Sequence, residues 1–391
     1  MPNLFFLLLV ISILTIIHGY VITRLLPVFE LGQISYWIIY PIILILSFLP
    51  IFPILLRTLG WEHKIIDKFS LIGYTSFGFF SLSFMIFAFR DFTLQIIYFA
   101  ENLFGGDPPI DNSKRDFLIK MSSIAIISST GVSSAFGFYN SRRGPEVFNQ
   151  DIFLPNLPLE FNNFTIAQIS DLHVGPTIKK PYVLKVLETI SKINPDVIAV
   201  TGDLIDGSVE HLRKDLEPFM DLVAPYGTFF VTGNHEYYSG VDQWLDETDR
   251  LGMINLINTN QIISKLESKI VIAGITDFKA HQIKKNHKSS PKIALKDVPK
   301  DQTRIILAHQ PNSIYAVNEE GADLQLSGHT HGGQFWPFTY PTKLANAYLS
   351  GLHNHNGTQI YVNRGTGYWG PPLRLGVPAE VTLIRLKSTV V

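Results

Sequence analysis

The chain contains no cysteine, and only 17% of its 391 residues are charged. The first absence excludes disulfides, thiolate metal sites and cysteine nucleophiles. The second is low for a soluble protein. The shortage of charge is uneven, because the apolar excess behind the 46% hydrophobic content sits in the first 140 residues. No sign of charge dominates either. A formal net charge of −1 provides no basic field for a phosphate backbone, so nucleic acid is not an expected partner. Internal repeats and low-complexity tracts are lacking. The length exceeds one typical domain, and the uneven composition implies a membrane part followed by a soluble part.

Residues 1–140 form the expected membrane region. Leu4 to Ile22 is almost purely apolar and long enough to span a bilayer. No basic segment precedes this run and no small-residue cleavage site follows it, so a retained helix is expected in place of a cleaved signal peptide. Tyr36 to Leu56 is a second span, and its Pro41, Pro50 and Pro53 are tolerable in a membrane helix. Phe69 to Phe89 is a third, and Met121 to Tyr139, diluted by serines, is a fourth. The expectation is an integral protein of the cell (inner) membrane. Loop charge does not orient it. With the N-terminus inside, Arg57, Lys64, Lys68, Arg142 and Arg143 face Arg24, Arg90, Lys114, Arg115 and Lys120, a balance on which the positive-inside rule is silent. Ser113 to Lys120 is similar to a twin-arginine export signal with Lys for the first Arg, which implies an extracytoplasmic domain. It also reads as an ordinary basic flank to a membrane helix.

Asn140 to Asn156 reads as a linker (residues 141–156), and the texture then changes over 157–391. Short β-rich runs alternate with amphipathic helices, the pattern of a layered αβ domain. Five of those runs end in residues of metal-ligand type. Thr165–Ser170 leads into Asp171-Leu172-His173, and Asp196–Thr201 into Gly202-Asp203. Thr228–Thr232 leads into Gly233-Asn234-His235-Glu236. Arg304–Ala308 leads into His309, and Asp323–Ser327 into Gly328-His329-Thr330-His331. A single Asp after a strand is ordinarily a turn or helix-cap residue. Five such ends in succession are different, because polar groups at the C-terminal ends of neighbouring strands converge in one crevice. Two carboxylates, four imidazoles and an amide oxygen suit a pair of divalent ions such as Mn, Fe or Zn. Two such ions can share a bridging carboxylate and a water made acidic enough to attack phosphorus as hydroxide.

The order Asp-x-His, Gly-Asp, Gly-Asn-His-Glu, lone His, Gly-His-Thr-His resembles the calcineurin-like metallophosphoesterase family over roughly Phe161 to Leu386. Glu236 stands where Asp is commoner in that family. The resemblance implies a two-sheet αββα sandwich, so that the whole is α+β, and a phosphoester or pyrophosphate hydrolase. It implies that Asp171, His173 and His331 hold one metal and that Asn234, His309 and His329 hold the other. Asp203 would bridge the two, and His235 would be a catalytic non-ligand beside the phosphate. Ser327 to Gln334 and Asn363 to Gly370, followed by Pro372 and Arg374, are similar to the family's membrane-attached subgroup. That subgroup includes UDP-2,3-diacylglucosamine pyrophosphatases and twin-arginine-exported enzymes. A phosphoester substrate, lipid-linked and reached from the membrane, is therefore expected. A non-catalytic, metal-stabilised membrane scaffold is the competing class.

Further residues carry two readings each. Tyr237, Tyr238, Phe335, Trp336, Tyr368 and Trp369 either line an apolar rim or pack behind the metal loops. Arg364 and Arg374 either bind a second phosphate bidentately, or are solvated or pair with Glu380 or Asp277. His353 and His355 read as surface-loop residues, and Glu236 as a supporter of the metal ligands.

Overall fold

The computed structural model describes residues 4–29, 33–104 and 112–389. They fall into two compact units, 1–139 with 370–373, and 140–369 with 374–391.

The helical unit comprises α1 (Leu4–Phe29), α2 (Gln33–Phe48), α3 (Phe52–Thr58), α4 (Lys64–Phe104) and α5 (Asn112–Arg142), the last of which runs on past residue 139. Among the described residues, three helical stretches are long and apolar enough to cross a membrane: Leu8–Leu26, Lys64–Phe104 and Ser113–Arg142. The second expected span, 36–56, is not one helix. It breaks at residues 49–51 between α2 and α3, and its apolar helix Trp37–Phe48 is short. The prolines explain the break. Leu49 precedes Pro50, and a residue before proline avoids the helical region. Pro53 then sits in the first turn of α3, where its missing N–H is not needed. The turn lies close against α4, since a Cβ on Gly73 would meet the Leu49 carbonyl carbon at 2.6 Å. Val21, Phe80 and Phe87 form a small apolar centre, while Ile16, Leu44, Ile45 and Phe89 project outward. One polar knot joins α1 to α4. The Asp91 carboxylate accepts from Tyr20 Oη (2.6 Å), from Arg24 and from Arg90, and Arg90 also donates to Ser123 Oγ at 2.7 Å.

The second unit holds twelve strands. They are β1 (Glu146–Leu154), β2 (Thr165–Ile169), β3 (Val197–Thr201), β4 (Thr228–Val231), β5 (Ile254–Asn255), β6 (Thr259–Lys265), β7 (Ser268–Gly274), β8 (Thr303–Leu307), β9 (Leu324–Ser327), β10 (Gly351–His355), β11 (Thr358–Val362) and β12 (Glu380–Ser388). One sheet runs β1-β12-β2-β3-β4-β5 and the other β10-β11-β9-β8-β7-β6. β2, β3 and β4 are mutually parallel, as are β7, β8 and β9. Side chains alternate across each strand. Ile166, Val197, Ala199, Phe229 and Val231 therefore meet Ile270, Ile272, Ile305, Leu307, Leu324 and Leu326 between the sheets. The opposite face of the first sheet, with Ala167, Ile198, Val200 and Phe230, packs on the helix Lys180–Ile193 through Val183, Val186 and Ile190. On the second sheet Ala273, Ile306 and Ala308 pack with Val317 and Ala294. The result is a two-sheet sandwich with helical segments outside, and strands buried on both faces read as continuous apolar runs.

Three local expectations change. The stretch expected as a linker contains β1, which pairs in parallel with β12 from Glu146↔Glu380 to Leu154↔Ser388. It escapes sequence reading because it is an edge strand, exposed or half-buried until Ile152 and Leu154. The expected helix Val209–Val223 stops at Leu216, two residues before Pro218, and continues only as a 3₁₀ segment. His353 and His355 lie on β10, an antiparallel edge strand, and not in a loop.

Candidate metal centre

The motif loops leave the C-terminal ends of β2, β3, β4, β8 and β9, and their tightness is visible in the backbone. Asp171, His173, Asp203, His329 and His331 all take positive φ, between 50° and 71°. Non-glycine residues avoid that region, at a cost of about 1–3 kcal/mol each, and such strain persists where surrounding structure holds it. Two glycines permit the crowding. A Cβ on Gly233 would lie 2.2 Å from Asp203 Oδ1, and one on Gly328 would lie 2.2 Å from Asp171 Oδ2.

Three groups of donor atoms result, each within 4.8 Å: Asp171 with His173 and His331, His173 with Asp203 and His235, and Asp203 with His309 and His329. His331 Nε2 is 3.4 Å from Asp171 Oδ1, and His309 Nε2 is 3.1 Å from Asp203 Oδ2. Imidazole nitrogens also face one another. His173 Nε2 and His331 Nε2 are 3.0 Å apart, and His329 Nδ1 and His309 Nε2 are 3.2 Å apart. Asn234, expected as the amide ligand, has its Oδ1 buried without a hydrogen-bond partner. His309 Nδ1 donates to the Thr201 carbonyl at 2.8 Å, which turns its Nε2 inward toward Asp203. Converging lone pairs, carboxylates and an orphaned amide oxygen make a donor set that a divalent cation fits, and its chemistry is oxygen and imidazole without sulfur.

The surroundings hold these groups in place. Both Asp171 oxygens accept from the His329 amide, at 3.0 and 2.8 Å. The buried Glu236 accepts from the amides of Asp203 (3.0 Å), Leu204 (2.8 Å) and Gly233 (2.6 Å), which locks the Asp203 loop to the Asn234 loop. Burial and the neighbouring Asp203 push the Glu236 carboxyl up to about 7. Burial alone would raise Asp203 too, but the charges of His309 and His235 outweigh it and hold Asp203 well below the carboxylate range. Burial, followed by the His309 charge, lowers His329 to about 3.

His235 sits at the edge of the donor set. Its Nε2 is 4.0 Å from Asp203 Oδ2 and its Nδ1 is hydrogen-bonded to Asp206 Oδ1. Burial would lower His235, yet Asp206 and Asp203 prevail and raise it to about 9. Asp206 also lies 3.2 Å from His173 Nδ1 through its other oxygen. Sequence reasoning passed over Asp206. Its available signal was the spacing Gly202-Asp203-Leu204-Ile205-Asp206, which carries a second carboxylate one turn past the first.

The six aromatic residues near the loops divide. Tyr237, Phe335 and Tyr368 are buried packing, and Tyr237 Oη lies 2.9 Å from His287 Nδ1. Tyr238, Trp336 and Trp369 are exposed. The rings of Tyr238 and Trp369 lie 5.4 and 5.8 Å from the His235 ring. Of the alternatives open for Arg364 and Arg374, pairing with Glu380 holds for Arg364, and Arg374 is neither solvated nor paired with a carboxylate. Arg364 Nε pairs with Glu380, and Arg374 is buried with its guanidinium turned to main-chain carbonyls.

A family model described as Calcineurin-like phosphoesterase matches residues 164–333, which contain every loop of this site. An uncharacterized metallophosphoesterase of Helicobacter pylori strain J99 is 38% identical over 254 residues, covering 64% of this chain and 66% of that protein. A Danio rerio transmembrane protein with metallophosphoesterase domain is 33% identical over 267 residues, covering 66% and 61%. The chain thus spans just under two thirds of the length of these two relatives. Against Bacillus subtilis, the uncharacterized metallophosphoesterase YkuE is 30% identical over 289 residues, covering 71% of this chain and 98% of that one. With the complete motif order on adjoining strand ends and relatives matched at this level, the chain belongs to the calcineurin-like metallophosphoesterase family.

Proposed function

We propose that this protein is a membrane-anchored phosphohydrolase that uses two divalent metal ions to cleave phosphomonoester, phosphodiester or pyrophosphate bonds. Asp171, His173 and His331 would hold the first ion and Asn234, His309 and His329 the second, with Asp203 available to both. The observation that carries this reading is that Asp203 lies in one donor group with His173, a residue of the first site, and in another with His309 and His329, residues of the second, with the His235–Asp206 pair alongside. When bound, the paired ions, drawn from manganese, iron or zinc, supply Lewis acidity and bring the pKa of a water toward neutrality. The chain's own residues do the rest. Asp206 fixes the Nδ1 proton of His235 and turns Nε2 toward the donors. An imidazolium held there stabilises negative charge on a phosphate and is placed to protonate the departing oxygen. Asp203, kept ionised, and Glu236, gripping three amides, preserve the spacing of the two halves.

The membrane part lies within 1–140, and the catalytic domain occupies 157–391, extended at its front by β1. The substrate is a lipid-linked phosphoester reached from the cell (inner) membrane. The three long apolar helices and the exposed Tyr238 and Trp369 beside His235 support this. Full-length protein in detergent, supplied with manganese, is expected to hydrolyse a generic aryl phosphate; inertness toward every phosphoester overturns the assignment. His235→Ala is expected to lose turnover and keep its metals, whereas a metal-stabilised scaffold would be unaffected in its cellular role. A topology reporter fused after Val391 tests the UDP-2,3-diacylglucosamine variant of this reading, which requires a cytoplasmic domain because nucleotide sugars are made there.

A further inference from the structure

Arg374 is the largest unexplained charge in the domain. Its side chain is 1% exposed, and among the described residues no carboxylate pairs with it. Asp171 and Glu380 attract it from beyond ion-pair distance, and a cation so buried still needs its donors hydrogen-bonded. Here they are spent on two loops. Nη1 donates to the His331 carbonyl (3.1 Å) and to the Arg364 carbonyl (2.8 Å). Nη2 donates to the Gly365 carbonyl (3.2 Å) and the Gly367 carbonyl, and Nε donates to Gly367 as well (3.1 Å). Nη2 also stands 3.2 Å from His331 Nδ1, behind the ring whose Nε2 faces Asp171 and His173.

The loop that Arg374 grips is itself fastened to the other half of the same donor group. The Thr366 amide donates to the Ser170 carbonyl at 2.7 Å, and the Gly367 amide to the Asp171 carbonyl at 3.0 Å. Gly365 is threaded between them. A Cβ there would lie 2.8 Å from His331 Nδ1, 2.9 Å from Arg374 Nη2 and 3.3 Å from Asp171 Cβ. The guanidinium therefore clamps the loop carrying His331 to a loop bonded to the one carrying Asp171 and His173. Among the described residues, its hydrogen bonds do not reach Asn234, His309 or His329.

We propose that Arg374 is a positioning residue for one metal subsite only, the one built from Asp171, His173 and His331, and that it acts through His331. The fork geometry is the reason for arginine: a lysine keeps the charge but cannot span four carbonyls and a ring nitrogen at once. This rests on the two-ion reading above. The test uses full-length protein in detergent with Mn²⁺ as the probe. Bound metal per chain is measured by elemental analysis and equilibrium titration, and spin coupling between paired ions by electron paramagnetic resonance. Wild type is expected to bind two ions and show a coupled signal; a single ion in wild type defeats the two-ion reading itself. With two ions in wild type, Arg374→Lys is expected to weaken one binding step by roughly 10–100-fold, the range for supporting residues around metal ligands. The second step is expected to stay unchanged and the coupled signal to give way to an isolated one. In a His331→Ala background the same change is expected to add nothing, since effects that run through one residue are not additive. The proposal is overturned if Arg374→Lys binds both ions as wild type does, if both steps weaken together, if the two changes are additive, or if the lysine variant fails to fold.

Discussion

The two units of this protein use the same elements of chemistry in opposite ways. In the helical unit large apolar side chains such as Ile16, Leu44, Ile45 and Phe89 face outward, while small hydroxyls are tucked in. Those hydroxyls bond their own helix: Ser47 donates to the Ile43 carbonyl (2.7 Å), Thr75 to Leu71 (2.7 Å) and Ser83 to Phe79 (2.9 Å). In the sandwich the apolar residues face each other between sheets, and buried polar groups reach far along the chain. Gln168 donates to the Ser327 carbonyl at 2.9 Å, and Thr366 Oγ1 donates to the Glu380 carbonyl at 2.7 Å. The difference follows from the surroundings each surface is made for. Where no water is available, a helix satisfies its own backbone, and a hydroxyl finds its nearest acceptor one turn back on the same helix. Where water drives apolar surface together, polar groups are free to specify distant contacts and to build a site.

That contrast can be broken in four places, in descending order of effect. Removing the His235 imidazole (His235→Ala) is expected to lower turnover by about 10²–10⁴, the contribution of a placed proton donor. Metal content should be unchanged in the same preparation; a variant that retains full turnover removes His235 from the chemistry. Next comes the sandwich core. Leu307→Ala, between the sheets, is expected to cost about 2–5 kcal/mol in chemical unfolding. The outward-facing Leu44→Ala is expected to leave the domain's transition where it was, and equal losses for both would erase the distinction drawn here.

The third place is the knot in the helices. Asp91→Asn leaves Arg24 and Arg90 without their shared carboxylate and is expected to cost about 1.5–3 kcal/mol, the worth of hydrogen bonds to charged groups. Detergent titration followed by helical circular dichroism reads this loss, and an unchanged midpoint would show the knot to be decorative. The smallest effect concerns Glu247, a buried carboxylate that meets the partly exposed Arg250 at 2.6 Å and Arg213 at 3.0 Å. Burial works to raise its pKa, but the hydrogen bond and charge of Arg250, then Arg213, lower it overall. A carboxyl depressed on folding adds stability above its unfolded value, near ~4.3, and loses it as pH falls through the folded value. With both arginines partly exposed, the term is at most about 1 kcal/mol. Glu247→Gln should lower stability at neutral pH by up to about 1 kcal/mol, leave it unchanged at low pH, and so flatten the acid side of the stability curve.

Much of the fold was legible, and the reason is locality. Five apolar runs each followed by Asp, His or Asn announce strand ends, because alternation and turn chemistry act over a few residues. The break in the second expected span was written in Pro50 and Pro53, yet its apolar composition masked it. β1 was hidden because an edge strand takes its hydrogen bonds from β12, more than two hundred positions away. Shorter separations, still beyond the reach of local pattern, hid Asp206, 29 positions from His235, and the contact of Arg374 with His331, 43 positions away. Neither residue type is unusual where it stands. Asp206 gains meaning only when two histidines from other loops come to its two oxygens, and Arg374 only when it is surrounded by carbonyls.

Sequence alone determined which residue types are present in metal-binding order, that sulfur takes no part, and where apolar length is sufficient to cross a bilayer. Those are properties of composition and of near neighbours. Tertiary structure alone decided that Asp203 belongs to two donor groups at once, that Asp206 holds His235, and that Arg374 faces inward to carbonyls instead of outward to phosphate. Each depends on strand order and loop approach, which place residues far apart in the chain within 3 to 4 Å of one another.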